Sequence, residues 1–312
     1  MRALVFTGPG VVELQEVPPP SGTGPGEVVL DVRAAGICGS ELHGFRSVGM
    51  RRPPLVMGHE LAGTTPDGRR VVVNPLLSCG SCDLCGRGDP ELCRDRQLLG
   101  VHRPGGFAER AAVPESAVHE LPAEMSWETA VLVEPLANAV HAWGLAGLGA
   151  GERVAIIGAG AIGLVTLLVA RDRGLTDVTV VDRARERLDL AARLGASHCV
   201  TELDGEHDVV VDAVGTASTR RTSVERLRPG GTTVWLGLAE TGVGFDGNDL
   251  VRNEKRVLGS FAYTPADFAG ALAMAPHLDL GWATPVPSGD SQAVFMRLAD
   301  GATNPVKAVI RF

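Results

Sequence analysis

The sequence predicts an α/β protein: a β-rich domain joined to a domain built on a doubly wound parallel sheet. Three observations predict it. Val154 to Asp182 reads as strand, glycine turn, helix and second strand, the opening of a parallel βαβ unit. Residues 1 to 137 instead show short apolar or alternating runs, Arg2–Phe6, Val28–Ala34 and Val71–Val73, between turn clusters such as Pro18–Gly22 and Pro66-Asp67-Gly68. Finally, 312 residues with 45% hydrophobic content suffice for two packed domains.

Composition removes several function classes. Forty glycines and 20 prolines point to many turns. A net charge of −8 argues against a basic nucleic-acid face. No apolar run reaches the roughly 18 residues of a membrane span. Met1-Arg2-Ala3-Leu4-Val5-Phe6 enters a strand without the apolar region of a signal peptide, so a cytoplasmic protein is expected. Four of the six cysteines crowd into Cys79–Cys93, which favours metal binding over a disulfide framework.

In the β-rich domain the first chemical cluster is Gly36-Ile37-Cys38-Gly39-Ser40-Glu41-Leu42-His43 and the second is Gly58-His59-Glu60. Thiolate, imidazole and carboxylate on separate loops can bind zinc with one position open, the arrangement of a catalytic metal. Taken singly, Cys38 reads as a small buried hydrophobe, His59 as a satisfied polar group and Glu60 as solvated surface. The third cluster places Cys79, Cys82, Cys85 and Cys93 at spacings of three, three and eight, with Gly80, Gly86 and Gly88 allowing sharp reversals. Four thiolates suit a closed tetrahedral, structural zinc site; an iron–sulfur centre is the competing reading.

Glu134-Pro135-Leu136-Ala137-Asn138-Ala139-Val140-His141-Ala142 opens a helix leading into the nucleotide domain, with Pro135 suited to a first turn and Glu134 to the dipole. The glycine turn follows the strand Val154–Ile157. Gly158 permits the tight turn, Gly160 lets the backbone approach a pyrophosphate, and Gly163 lets the helix lie close on the sheet. Free N–H groups at the helix start face the phosphates. Asp182, 19 residues past Gly163, stands where a carboxylate accepts ribose hydroxyls and repels a 2′-phosphate. NAD is therefore expected over NADP. Ala184–Leu194 reads as an amphipathic helix, Asp208–Asp212 and Thr232–Gly237 as strands, Pro265–Ala275 and Gln292–Leu298 as helices, and Lys307–Phe312 as a closing strand.

The motifs G-I-C-G-S-E-L-H, G-H-E, C-x-x-C-x-x-C-x₇-C, E-P-L-A-N-A-V-H-A and G-A-G-A-I-G, in that order, resemble the zinc-dependent medium-chain dehydrogenase/reductase family, within it the sorbitol, threonine and polyol dehydrogenase branch. The resemblance spans nearly the whole chain. It implies a GroES-like catalytic domain over 1–137 and 263–312, a Rossmann domain over 138–262, and a substrate site in the cleft between them. It implies that Cys38, His59 and Glu60 hold a catalytic zinc, with Glu134 near it. Alcohol dehydrogenase uses a second cysteine among its three protein ligands, where this chain and the polyol branch have glutamate. Ser40 and His43 match the family's proton relay, and Cys79, Cys82, Cys85 and Cys93 its structural-zinc lobe. Ile162 belongs to the glycine motif, Arg187 matches the adenosine-side arginine, and Leu236, Gly237, Leu238, Ser260 and Phe261 match residues beside the nicotinamide. The implied reaction is hydride transfer between a secondary alcohol, as in a polyol, sugar, amino alcohol or cyclitol, and NAD. A homodimer or homotetramer is expected, with no nucleic-acid or membrane partner. The rival readings are a non-redox lyase or hydratase on the same scaffold and a non-catalytic NAD-binding redox sensor.

One departure is informative. Only Thr201–His207 links Cys199-Val200 to Asp208, where the family carries a crossover helix. In strand order 3-2-1-4 this link crosses about 14 Å sideways and returns along a strand, while seven extended residues reach at most about 24 Å. A loop spans that distance and a helix does not. A second shortening falls at Leu61–Arg70, where Thr64–Gly68 replaces a longer meander.

Overall fold

The computed structural model describes residues 1–20, 24–147 and 151–312, so Ser21 and Gly22 of the proline-rich turn lie outside it. The chain divides into two compact units, Met1–Glu134 with Ala271–Phe312, and Pro135–Gly270. Both divisions fall inside helices, Val133–Ala146 and Pro265–Met274, rather than in linkers.

The first unit is β-rich. Its main sheet runs in the order Val118–Glu120, Arg70–Val73, Glu60–Thr64, Glu27–Gly36, Ala308–Arg311, Thr284–Pro287, with Arg110–Pro114 also paired to Glu27–Gly36. Alternate side chains of Glu27–Gly36 enter a core that includes Phe6, Phe45, Phe107 and Phe295; Phe45 and Phe295 meet edge to face, centroids 5.2 Å apart. Helices before Ser126 are short, Gly39–Gly44 and Asp83–Arg87. The pairing that matters most sets Gly36 opposite Glu60, because it brings the loop after one strand to the start of the other.

The second unit holds six parallel strands ordered His198–Val200, Val178–Val181, Val154–Ile157, His207–Asp212, Leu227–Trp235, Arg256–Gly259. In chain order that is 3-2-1-4-5-6, the doubly wound arrangement with its switch point beside Val154–Ile157. Val154–Ile157 and Val178–Val181 are buried at every position, as strands covered on both faces are. Thr201–Glu206 contains no helix, as the link's length requires. The strand expected over Thr232–Gly237 instead runs Leu227–Trp235. It pairs first at His207↔Leu227, shifts register at the turn where Gly230 has φ 75°, and resumes at Val209↔Thr232; Leu236 and Gly237 already belong to the loop beyond. Among the described residues no helix is long and apolar enough to cross a membrane.

Candidate active site

Cys38, His59 and Glu60 each offer one ligand atom, and these atoms lie within 4.8 Å of one another. The sheet register puts them there: Cys38 follows Gly36 by two residues, and Gly36 pairs with Glu60. A Cβ at Gly36 would stand 1.9 Å from Glu60 Oε2, so a larger residue there would displace that carboxylate. Gly58, with φ 95°, lets the chain reverse just before His59. Behind it three backbones stack: a Cβ at Gly105 would meet Gly58 O at 2.1 Å, and one at Gly100 would meet Gly58 N at 2.7 Å.

Glu41 organises this cluster, and sequence reasoning assigned it no role. Fully buried, its carboxylate accepts the Cys38 N–H at 3.0 Å, the His59 N–H at 3.1 Å and His59 Nδ1 at 2.8 Å. The spacing of Cys38 and Glu41 is that of a capping box, the one signal that pointed to it. Burial alone would raise the Glu41 pKa, but the His59 ring and the Cys38 N–H bring it below the ordinary value. Burial likewise works against a charged His59, yet Glu41 and Cys38 raise it well above. With Nδ1 held by Glu41, Nε2 remains for a metal, the orientation that carboxylate–histidine pairs give to zinc sites.

Glu60 is buried, which removes the reading of it as solvated surface. Its Oε2 pairs with Lys307, whose Nζ also donates to Ile37 O at 3.2 Å. Burial opposes the Lys307 charge, and the Glu60 carboxylate outweighs it, raising the amine. Lysines occur only at 255 and 307 in this chain, and both are buried. Glu60 Oε1 is buried without a hydrogen-bond partner among the described residues. A soft thiolate, one free imidazole nitrogen and an unsatisfied carboxylate oxygen fit zinc with a coordination position to spare. Ser40 and His43 are exposed on the helix Gly39–Gly44, three residues apart. Glu134 is buried in the first turn of Val133–Ala146 and is outside the three-residue cluster.

The four-cysteine lobe is a second centre. Sγ–Sγ separations are 3.5 Å for Cys82–Cys85 and 3.9 Å for Cys79–Cys85 and Cys82–Cys93. All six cysteines are free, and these distances far exceed the roughly 2.05 Å of a disulfide. Zinc with Zn–S bonds of about 2.3 Å holds tetrahedral sulfurs about 3.8 Å apart, so one ion fits; a multi-iron cluster would spread its thiolates wider. Gly80 and Gly88, φ 71° and 94°, turn the chain around it. Backbone N–H groups of Ser81 and Cys82 draw the Cys79 thiol down to about 6, and burial pushes Cys85 up to about 11.

In the second unit Gly158 adopts φ 101°. A Cβ at Gly163 would lie 1.7 Å from Gly158 O, so the helix Ala161–Asp172, with Ile162 in its first turn, can close on the turn only as glycine. A Cβ at Gly160 would find only Arg187 Nη1, at 4.0 Å, leaving the N-cap open for a phosphate. Asp182 accepts the Ala159 and Ala184 N–H groups, both at 2.8 Å, with Arg187 Nη1 at 3.9 Å. It sits on a groove of about 710 Å³ that continues past Leu203 to Thr222 and Glu225. Asp212, also without an assigned role from sequence, ties the next loop: Oδ1 accepts the Val214 and Gly215 N–H groups at 2.9 Å, and its carbonyl accepts those of Leu236 and Gly237. A Cβ at Gly237 would meet Val214 C at 2.1 Å. Leu238 and Phe261 are exposed, whereas Ser260 Oγ is buried with no hydrogen-bond partner among the described residues.

Comparison with known proteins agrees with this anatomy. Residues 24–123 match the alcohol dehydrogenase GroES-like domain and residues 161–276 the zinc-binding dehydrogenase domain. L-threonine 3-dehydrogenase of Chelativorans sp. is 34% identical, with 80% of each chain covered. A protein of Sinorhizobium meliloti 1021 described as a zinc-binding dehydrogenase, solved with NADP, superposes with TM-score 0.92 at 29% identity, covering 100% of this chain and 99% of that one. Acetophenone reductase of Geotrichum candidum, solved with NAD, gives 0.91 at 27%, covering 100% and 97%. The chain therefore belongs to the zinc-dependent medium-chain dehydrogenase/reductase family and is a zinc-dependent oxidoreductase of the alcohol type, using a nicotinamide dinucleotide.

Proposed function

We propose that this enzyme oxidises a secondary alcohol of a small polyol, sugar, amino alcohol or cyclitol with NAD, or reduces the matching ketone. The observation that carries this reading is the Cys38, His59 and Glu60 triad, braced by Glu41 and backed by Lys307. These three residues would hold the catalytic zinc, with Glu134 near it as the family resemblance implies, and Cys79, Cys82, Cys85 and Cys93 the structural one. Bound zinc supplies a Lewis acid that favours the ionised alcohol, and bound NAD supplies the hydride acceptor.

The chain's own work is positional and protonic. Ser40 Oγ takes the substrate hydroxyl proton and His43 passes it to water. Gly158, Gly160, Ile162 and Gly163 seat the pyrophosphate, and Asp182 with Arg187 the adenosine ribose. Leu236, Gly237, Leu238, Ser260 and Phe261 flank the nicotinamide, where the orphaned Ser260 hydroxyl suits its carboxamide. The Asp182 carboxylate supports NAD over NADP, although the Sinorhizobium neighbour was solved with NADP. The domains proposed are 1–137 with 263–312 and 138–262, in a cytoplasmic homodimer or homotetramer.

The test is absorbance at 340 nm with a panel of alcohols plus NAD, then NADP, alongside metal analysis. Two zincs per chain and turnover lost in Cys38→Ala and His59→Ala are expected. Full turnover in either variant would refute the assignment. A pH profile unchanged by Ser40→Ala would refute the relay alone.

A further inference from the structure

The missing crossover helix changes what lies beside Asp182. The chain steps across the sheet in one direction from His198–Val200 to His207–Asp212 and on to Leu227–Trp235. Right-handed connections put both links on one face, so a helix in the first would lie beside the helix Ala217–Glu225. Here the first link is Thr201–Glu206, without a helix. Its Leu203 packs onto the sheet among Ala155, Ile157, Val181, Val210 and Leu227. The flank of Ala217–Glu225 that carries Ser218, Thr222 and Glu225, four and three residues apart, is polar, with Ser218 and Glu225 exposed. An apolar neighbour would have demanded the opposite. The groove of about 710 Å³ beginning at Asp182 runs along this flank, over about 10 Å of helix from Ser218 to Glu225.

If Asp182 holds the adenosine ribose, as the NAD reading above requires and on which this inference rests, the groove receives the adenine end. The N6 position of adenine lies on the ring farther from the ribose link, whereas C8 lies beside it. A group attached at N6 therefore extends along the groove. We propose that the groove is an extended adenine subsite that takes an N6-substituted cofactor, its arm lying against Thr222 and its cationic end near the Glu202 and Glu225 carboxylates.

The experiment titrates the zinc-loaded full chain with NAD and with N6-(2-aminoethyl)-NAD by calorimetry. The analogue is expected to bind within tenfold of NAD. Thr222→Trp, which fills the groove, should weaken the analogue at least tenfold more than it weakens NAD. Glu225→Arg, an exposed charge reversal that spares the fold, should weaken it at least threefold more. An analogue bound over tenfold more weakly than NAD by the parent would mean the groove is closed, by a second copy or otherwise, and would overturn the proposal. Equal tolerance of the arm in parent and both variants would place it in solvent and overturn it too. If NAD itself fails to bind, the functional reading falls, and this inference with it.

Discussion

Replacing Glu41 by glutamine tests how the metal triad is held, because it alters the charge and one acceptor with almost no change of shape. The carboxylate accepts three N–H groups, from Cys38 at 3.0 Å and from His59 at 3.1 and 2.8 Å. An amide has one oxygen. If that oxygen keeps the two His59 contacts, the new NH₂ faces the Cys38 N–H, donor against donor. The reverse orientation breaks two contacts instead of one, so the first is preferred. The cost is one charge-assisted hydrogen bond, about 1.5–3 kcal/mol, in a residue that is fully buried and where water cannot substitute. Loss of a ligand's supporting partner elsewhere lowers metal affinity about 10- to 100-fold, equivalent to about 1.4–2.7 kcal/mol. The two estimates agree. Zinc affinity measured by competition with a chromogenic chelator at neutral pH should fall by that factor, with the circular dichroism spectrum unchanged. Glu41→Asp, which keeps the charge, should recover part of the loss. Zinc affinity and turnover of Glu41→Gln within about twofold of the parent would refute the role given to Glu41.

Three further outcomes are expected. Gly163→Ala places a Cβ 1.7 Å from Gly158 O; overpacking costs about 1–3 kcal/mol, so the melting temperature should drop and the Kd for NAD rise more than about tenfold by titration. Cys93→Ser breaks the four-sulfur set whose Cys82–Cys93 separation is 3.9 Å, and metal analysis should find the structural zinc lost, with earlier thermal unfolding. Burial lowers the His207 pKa below its ordinary 6.5. Above that pH the ring is neutral folded or unfolded, and as pH falls below it the unfolded chain takes up a proton that the folded state resists, so stability is lost on acidification through that window. His207→Gln should shrink the difference in melting temperature between pH 7 and pH 5, and an unchanged difference would count against a buried neutral ring.

The strands of the nucleotide unit and the glycines between them were legible because each rests on a local rule: four apolar residues in a row, glycine where φ is positive, glycine where helix and turn collide. The loop at Thr201–Glu206 was legible from distance alone. Other features depend on partners far away in the chain. Lys307 finds Glu60 across the sheet, and no local pattern marks a lysine as buried. Asp212 serves the loop that ends its own strand and the loop after the neighbouring strand Leu227–Trp235, which strand periodicity does not record. Glu41 stood inside a recognised motif, yet its use became visible only when the fold brought His59 back to it. The strand from Leu227 was misplaced because Pro229-Gly230 reads as a terminator, while the register shift opposite lets pairing run through it.

The stacked glycines behind His59 make neighbours of two centres that are separate in the chain. The segment Gly100–Phe107, which leaves the four-cysteine lobe, is clamped main chain to main chain on Met57 and Gly58, with Gly106 N–H donating to Gly58 O at 2.7 Å and Phe107 N–H to Met57 O at 2.9 Å. No side chain intervenes to absorb slack. Lengthening or loosening the exit from the lobe would therefore shift the imidazole itself, and a graft of that lobe from another protein has to preserve Gly100–Phe107 as strictly as its cysteines.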